Sequence, residues 1–213
     1  MGKVYEKLTP PLRTLIEQAP VFFVGTAPLA GDGRVNVSPK GGMDTLAVLD
    51  DTTVAYLDLI GSGAETIAHL RENGRITLMF CSFGPRPKTL RLYGEGRSVF
   101  PDSPEWETLS RRFGSHPIPR SIVVVALRRI ADSCGFTVPE MTLVRERDLQ
   151  DRWGQRKSQA ELEAYMRQKN SRSIDGLPAR PRQNGVHQGE FRGDTRPSAS
   201  PRPARPGNGN RYV

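Results

Sequence analysis

Between Val54 and Asn73 the chain reads VAYLDLIGSGAETIAHLREN, a β-branched and aromatic run that enters a glycine-rich turn and then a helical repeat. A helix beginning at such a turn presents N–H groups without intrahelical partners and the positive end of its dipole. Gly61 and Gly63 would let an anion approach that backbone closely, and Ser62 and Thr66 add hydroxyl donors. The chemistry indicated is phosphate binding. The same residues carry a plainer reading, because Ser62 and Glu65 match the S-x-x-E capping box, which caps a helix with no ligand at all.

Upstream, Val35 to Gly42 reads VNVSPKGG. Alternation along a strand puts Asn36, Ser38 and Lys40 on one face or at the strand's exit, where Lys40 would supply positive charge. A single lysine is more commonly just solvated, so it is the pairing of the two segments that points to a site.

Other reactive residue types make no recognisable constellation. His69, His116 and His187 are widely spaced and form no metal set, so no metal is expected. Nothing resembles a nucleophile elbow or a triad. Asp44 and Asp58 read as hydrogen-bonding residues at turns or strand ends, and no catalytic acid or base is identified. His69 in mid-helix and His116 before Pro117 read as surface or packing residues.

These segments need elements to hold them. Thr9-Pro10-Pro11 is a helix start, with Leu12, Leu15 and Ile16 at helical spacing up to Pro20. Strand signals follow at 21–26, 34–38, 53–59, 75–83, 89–100 and 120–130, separated by turns such as Gly31-Asp32-Gly33 and Gly84-Pro85-Arg86-Pro87. A short helix over 61–73 interrupts them and closes at Asn73-Gly74 in the manner of a helix C-cap. Pro104 opens a helix containing Trp106, Leu109 and Phe113, and residues 148–170 read as one further helix with Trp153, Leu162, Tyr165 and Met166 as packing residues. Many strands with few helices fit a small closed barrel better than a doubly wound sheet.

Composition bounds the rest. A chain of 213 residues suits one domain with a substantial core. The net charge of +8 invites a nucleic-acid reading, yet residues 178–213 hold seven arginines against two acids, so most of the surplus sits at the end. That end is rich in Pro, Arg, Gly and Ser, has almost no apolar residues and lacks interleaved aromatics for stacking. We expect a domain over 1–178, a disordered Arg/Pro-rich tail over 179–213, and no nucleic-acid partner. Cys81 and Cys134 read as free buried thiols of a reducing compartment. The amphipathic N-terminus and the absence of any run of roughly 20 apolar residues lead us to expect a cytoplasmic protein with no membrane partner.

Taken in order, VNVSPKGG, VAYLDLIGSGAETIAHLRENGRITLMF and LRLYGEGRSV resemble consecutive motifs of the pyridoxamine 5′-phosphate oxidase-like FMN-binding split-barrel family, over roughly 20–130. SCGFTVP at 133–139 and KNSRSIDGLP at 169–178 resemble stretches of a bacterial subfamily. The resemblance implies a mainly β fold with flanking helices, a six-stranded antiparallel split β-barrel. It implies FMN as cofactor and a homodimer with the flavin at the subunit interface. It assigns the phosphate to Lys40, Ser62, Gly63 and Thr66 and the flavin's length to Tyr56 and Leu57, with Asn36 and Ser38 beside Lys40 and Arg91 and Tyr93 at the cofactor or the interface. The chain departs from the true oxidases in two places. Ser62-Gly63-Ala64 stands where they carry Ser-Arg-Lys, and no Arg-x-His element follows Phe136 to hold a pyridoxal phosphate. The resemblance therefore implies an FMN-dependent oxidoreductase acting on an unidentified small molecule, not on vitamin B6. Related barrels that bind deazaflavin or heme, and a non-enzymatic flavin module presenting its basic tail through Pro178-Ala-Arg-Pro181 and Pro203-Ala-Arg-Pro206, remain the alternatives.

Overall fold

The computed structural model describes residues 2–180. The opening helix, α1 (Pro10–Glu17), forms as its sequence predicts: Thr9 is extended at the N-cap, Pro10 and Pro11 occupy the first turn, and Leu12 and Ile16, one turn apart, are buried. The strands that follow are β2 (Val21–Thr26), β3 (Asn36–Gly41), β4 (Leu46–Val48), β5 (Thr53–Leu59), β6 (Arg75–Cys81), β7 (Lys88–Val99) and β8 (Pro119–Cys134). A two-residue strand before α1, β1 (Val4–Tyr5), pairs with β8. The described residues thus hold eight strands, not six. The two additional ones, β1 and β4, have two and three residues, too few for any alternation to show in the sequence.

All pairings are antiparallel, in the order β3-β2-β6-β7-β8-β5-β4. β3 and β4 stand at opposite ends of this path, yet β3 ends at Gly41 and β4 begins at Leu46. Five Cα steps reach at most about 18 Å, whereas six strand spacings laid flat would separate the ends by about 29 Å. The sheet must curl until its ends meet, which makes it an antiparallel half-barrel. β7 and β8 carry a register shift at Tyr93/Gly94, where a side chain on Gly94 would collide with the Ala126 carbonyl.

Alternate residues of the central strands serve two apolar cores. Val54 and Tyr56 of β5 face inward with Phe22, Leu78, Phe80 and Val123, while Ala55 and Leu57 face outward with Val99, Ile122 and Val124. The short helix α3 (Trp106–Ser110) packs Trp106 and Leu109 on the outer set. Helix α2 (Glu65–Asn73) ends as predicted, with Gly74 left-handed at φ 70° and its N–H bonded to the Leu70 carbonyl.

The predicted helix over 148–170 is two helices, α4 (Leu149–Gln155) and α5 (Gln159–Lys169). Ser158 breaks it: this residue is extended and forms a capping box with Glu161, starting α5 afresh. Trp153 and Tyr165 meet edge to face across the break, their ring centroids 5.2 Å apart. Residues 171–180 then fold back over α2. Ala179 is fully buried against Ala64, Ile67 and Ala68, so the folded body extends past the expected boundary at 178. The tail expected over 179–213 otherwise lies outside the described residues. Both cysteines are free, but Cys134 is exposed and Cys81 half-buried, because each sits at the last position of a strand where the cores have ended.

Candidate functional site

Where the two ends of the sheet meet, a cavity of about 290 Å³ opens between the exit of β3, the end of β5, the glycine loop and the start of α2. Its floor is an ion cluster around Asp58, which is 1% exposed. Lys40 Nζ lies 2.8 Å from Asp58 Oδ1. Arg120, at the start of β8, donates from Nε at 2.8 Å and Nη2 at 2.7 Å to Oδ2, and from Nη1 at 2.6 Å to the Gly63 carbonyl. Ser121 Oγ adds a longer contact of 3.3 Å to Oδ2. Burial pushes the Asp58 carboxyl up, but Lys40 and Arg120 together outweigh it and hold the group below the usual carboxylate range. Asp58 is therefore ionised, and two cations face one anion at the cavity floor.

The capping box expected at α2 does not form. The N-cap is Ala64, without a side-chain bond; Glu65 instead accepts the Ile174 N–H at 3.1 Å through Oε1 and sets its Oε2 against Gly63. As a result the backbone N–H groups of residues 61–67 find no partner among the described residues, while the next donors on either side, Ile60 and Ala68, are both satisfied.

The side chains above this loop have fixed polarity. Asn36 Nδ2 donates to Thr26 Oγ1 at 3.2 Å and Thr66 Oγ1 at 3.1 Å, and Asn36 Oδ1 accepts from Ser38 Oγ at 3.0 Å. Thr66 Oγ1 is thus occupied as an acceptor and keeps its proton to donate, whereas Ser38 spends its proton on Asn36 and offers lone pairs. Both line the cavity. The chain of bonds continues inward from Thr26 to Nδ1 of the fully buried His69, at 3.0 Å. Burial lowers the pKa of His69 against the opposing pull of Glu65, Glu72 and Asp175, so it is a neutral packing residue at pH 7.

Of the residues singled out from the sequence, Ser38, Lys40, Leu57, Ser62, Gly63 and Thr66 line the cavity, and Asn36 stands directly behind two of them. Two do not. Tyr56 is fully buried in the inner core, edge to face with Phe22, and touches the site only from beneath, its ring centroid 5.9 Å from Lys40 Nζ. The alternation of β5 explains this: Leu57 and Tyr56 face opposite sides of the sheet, so both cannot line one cavity. Arg91 pairs with Ala131, roughly 35 Å along β8 from Arg120, and bonds Ser133 Oγ at 3.2 Å. Tyr93, two residues on, is exposed on the same strand. Asp58, read from the sequence as a hydrogen-bonding strand-end residue near the site, is the centre of its ion cluster, whereas Arg120, Gln150 and Asn170 were missed. Their partners are distant in sequence, and the one available signal was a buried-strand arginine at the start of the run SIVVVAL.

The fold is an antiparallel half-barrel with a glycine loop and a helix start where its ends meet. The chain matches the pyridoxamine 5′-phosphate oxidase family profile over residues 8–134. It is 39% identical over 208 residues to the pyridoxamine 5′-phosphate oxidase family protein ustO of Aspergillus flavus, covering 88% of this chain and 81% of that one. Among solved structures it is similar to Group A Streptococcus HupZ (21% identity, 58% of this chain and 91% of that one, TM-score 0.46). It is also similar to an FMN-binding protein of Syntrophomonas wolfei (16% identity, 62% and 85%, TM-score 0.43). The two structural likenesses are too distant to bear on function. On the profile and the Aspergillus relative, the chain belongs to the pyridoxamine 5′-phosphate oxidase family.

Proposed function

We propose that this protein binds FMN at the cavity and works as a flavin-dependent oxidoreductase on a small-molecule substrate, as a homodimer. The observation that carries the reading is the set of unpartnered N–H groups at residues 61–67, gathered beside Lys40, Arg120 and the Thr66 hydroxyl. Donors gathered at a helix start without acceptors favour a negative ligand, and an oxygen-rich anion satisfies several of them together.

The residues fit a phosphate. Lys40 would give a charge-assisted bond, the loop N–H groups and Thr66 would donate to the remaining oxygens, and the apolar side chains of Leu57 and Leu59 would wall the rest of the ligand. Ser38 would accept from a hydroxyl or N–H of the same ligand. A bound flavin supplies two-electron redox chemistry, and the protein's part is to hold it, tune it by hydrogen bonds and admit a substrate to its face. No Arg-x-His element stands between Phe136 and Pro178 to hold a pyridoxal phosphate, which argues against vitamin B6 as substrate.

A cavity of about 290 Å³ lies at the small end of ligand pockets, so it encloses only part of a flavin nucleotide. A second copy supplying the remaining wall fits this size. In such a dimer Arg91 of β7, which pairs with β8 too far from Arg120 to serve its own cavity, would serve its partner's.

An absorption spectrum of the purified protein, followed by heat release and mass measurement of the ligand, tests the reading. Oxidised-flavin bands and the mass of FMN are expected. A different mass would identify FAD, deazaflavin or heme instead, and a colourless protein that also fails to bind added FMN would end the proposal.

A further inference from the structure

Asn170 closes α5, its N–H bonded to the Met166 carbonyl at 2.8 Å, and its side chain leaves the helix for the glycine loop. Nδ2 donates to the Gly61 carbonyl at 2.8 Å and to the Gly63 carbonyl at 3.3 Å. From α4, Gln150 Nε2 donates to the Ile60 carbonyl at 3.0 Å, and Arg120 takes the Gly63 carbonyl as well. Three carbonyls of one four-residue stretch are thus held by side chains that come from other elements.

In a planar trans peptide the C=O of one residue and the N–H of the next point in opposite directions. Asn170 is 1% exposed and is not part of the cavity wall, whereas Ser62 is. Drawing the Gly61 oxygen toward Asn170 therefore turns the Ser62 N–H away from it, to the side on which Ser62 lines the cavity. Without that bond either face of the peptide could turn to an incoming anion, and one of them would present a carbonyl oxygen to it. The orphan on Asn170 itself supports this role. Its Oδ1 is buried with no partner among the described residues, so the amide is oriented by the two carbonyls it serves and not by its own full satisfaction.

We propose that Asn170 is a positioning residue for phosphate binding, acting through the Gly61–Ser62 peptide and never touching the ligand. This makes the C-terminal helices part of the site. The inference rests on the flavin reading for the identity of the ligand, but not for the orientation of the loop.

The test uses the full-length protein and two probes, FMN and riboflavin, which differ by the phosphate. Asn170→Asp keeps the shape of the side chain while replacing the Nδ2 donor by an oxygen that repels both carbonyls. The dissociation constant for FMN should rise at least about 10-fold, the value of one lost hydrogen bond of ordinary strength, while that for riboflavin changes less than about 3-fold. Asn170→Ser, a shorter donor unable to span both carbonyls, should show the same selectivity, and it decides the matter should the aspartate variant fail to fold. Equal weakening of both flavins, or unchanged FMN binding in a folded variant, overturns the inference. Should the wild type bind neither flavin, the flavin reading falls alone, and titration with inorganic phosphate decides this one. A shift of the Ser62 amide NMR signal in the wild type that the Asn170 variants lose supports the positioning role, and a wild-type amide that ignores phosphate overturns it.

Discussion

Lys40 and Asp58, 2.8 Å apart, form an ion pair across the seam of the half-barrel: Lys40 belongs to one end strand of the hydrogen-bonded path and Asp58 to the strand next to the other end. No backbone ladder joins β3 to β5 among the described residues, and this pair is a side-chain link between them.

Removing Asp58 should therefore be severe. In Asp58→Ala the fully buried Arg120 and the 22% exposed Lys40 lose their counter-ion, and breaking such a pair costs about 3–5 kcal/mol. Chemical denaturation should show a loss of that order, and a loss under about 1 kcal/mol would mean that the cluster relaxes freely.

Lys40→Ala should act on the ligand more than on the fold, since Asp58 keeps Arg120 while the proposed charge-assisted phosphate contact would be worth about 1.5–3 kcal/mol. Titration should show FMN affinity reduced by roughly 10- to 100-fold, with riboflavin little affected. Unchanged FMN affinity would remove Lys40 from the site.

Tyr56→Phe should cost nothing. The Tyr56 hydroxyl is buried without a partner among the described residues, and deleting an unsatisfied group of that kind relieves about 1 kcal/mol. A raised Tm with unaltered FMN affinity is expected. A loss of affinity would return Tyr56 to the cofactor.

Acid should loosen the molecule at two places at once. The Asp132 carboxyl, which accepts from Lys88, the Lys3 N–H and Tyr5, is held at about 2 against the opposing effect of burial, and Asp58 is likewise depressed. A carboxyl whose folded pKa is depressed contributes stability that is fully present above its unfolded value near 4 and is lost as pH falls toward its folded value. Stability should decline from about pH 4 to pH 2, and Asp132→Asn should flatten part of that slope. A wild-type curve with no slope in this window would contradict both assignments.

A chain ending at Arg180 should keep its fold and any bound flavin, whereas one ending at Pro178 should melt earlier. The difference is Ala179, fully buried on α2, whose N–H bonds the Ser171 carbonyl at 3.0 Å. Two superimposable melting curves would show that this strap contributes nothing.

What could be read from the residues alone follows how local each cause is. The α1 start at Thr9-Pro10-Pro11 and the Gly74 cap are settled within one turn of helix, and the longer strands announce themselves by alternation. The glycine loop was legible as glycines before a helix, but its supposed cap was not a cap, because Glu65 is claimed by Ile174, 109 residues away. Arg120 meets Asp58 across 62 residues and Asn170 meets Gly61 across 109. Neither pair leaves a mark on the local pattern, since an arginine in a strand and an asparagine at a helix end are unremarkable by themselves. Ser158 was visible, yet one helical stripe running through Trp153 and Leu162 concealed the break it makes.

The short link between Gly41 and Leu46 also couples distant parts of the sheet. Its two flanking strands are neighbours in sequence but the outermost members of the hydrogen-bonded path, with β2, β6, β7, β8 and β5 between them. Lys40 and Asp58 therefore face one another across a closure whose curvature every intervening strand helps to set, so a substitution that flattens the sheet far from the cavity reaches the cavity through this pair.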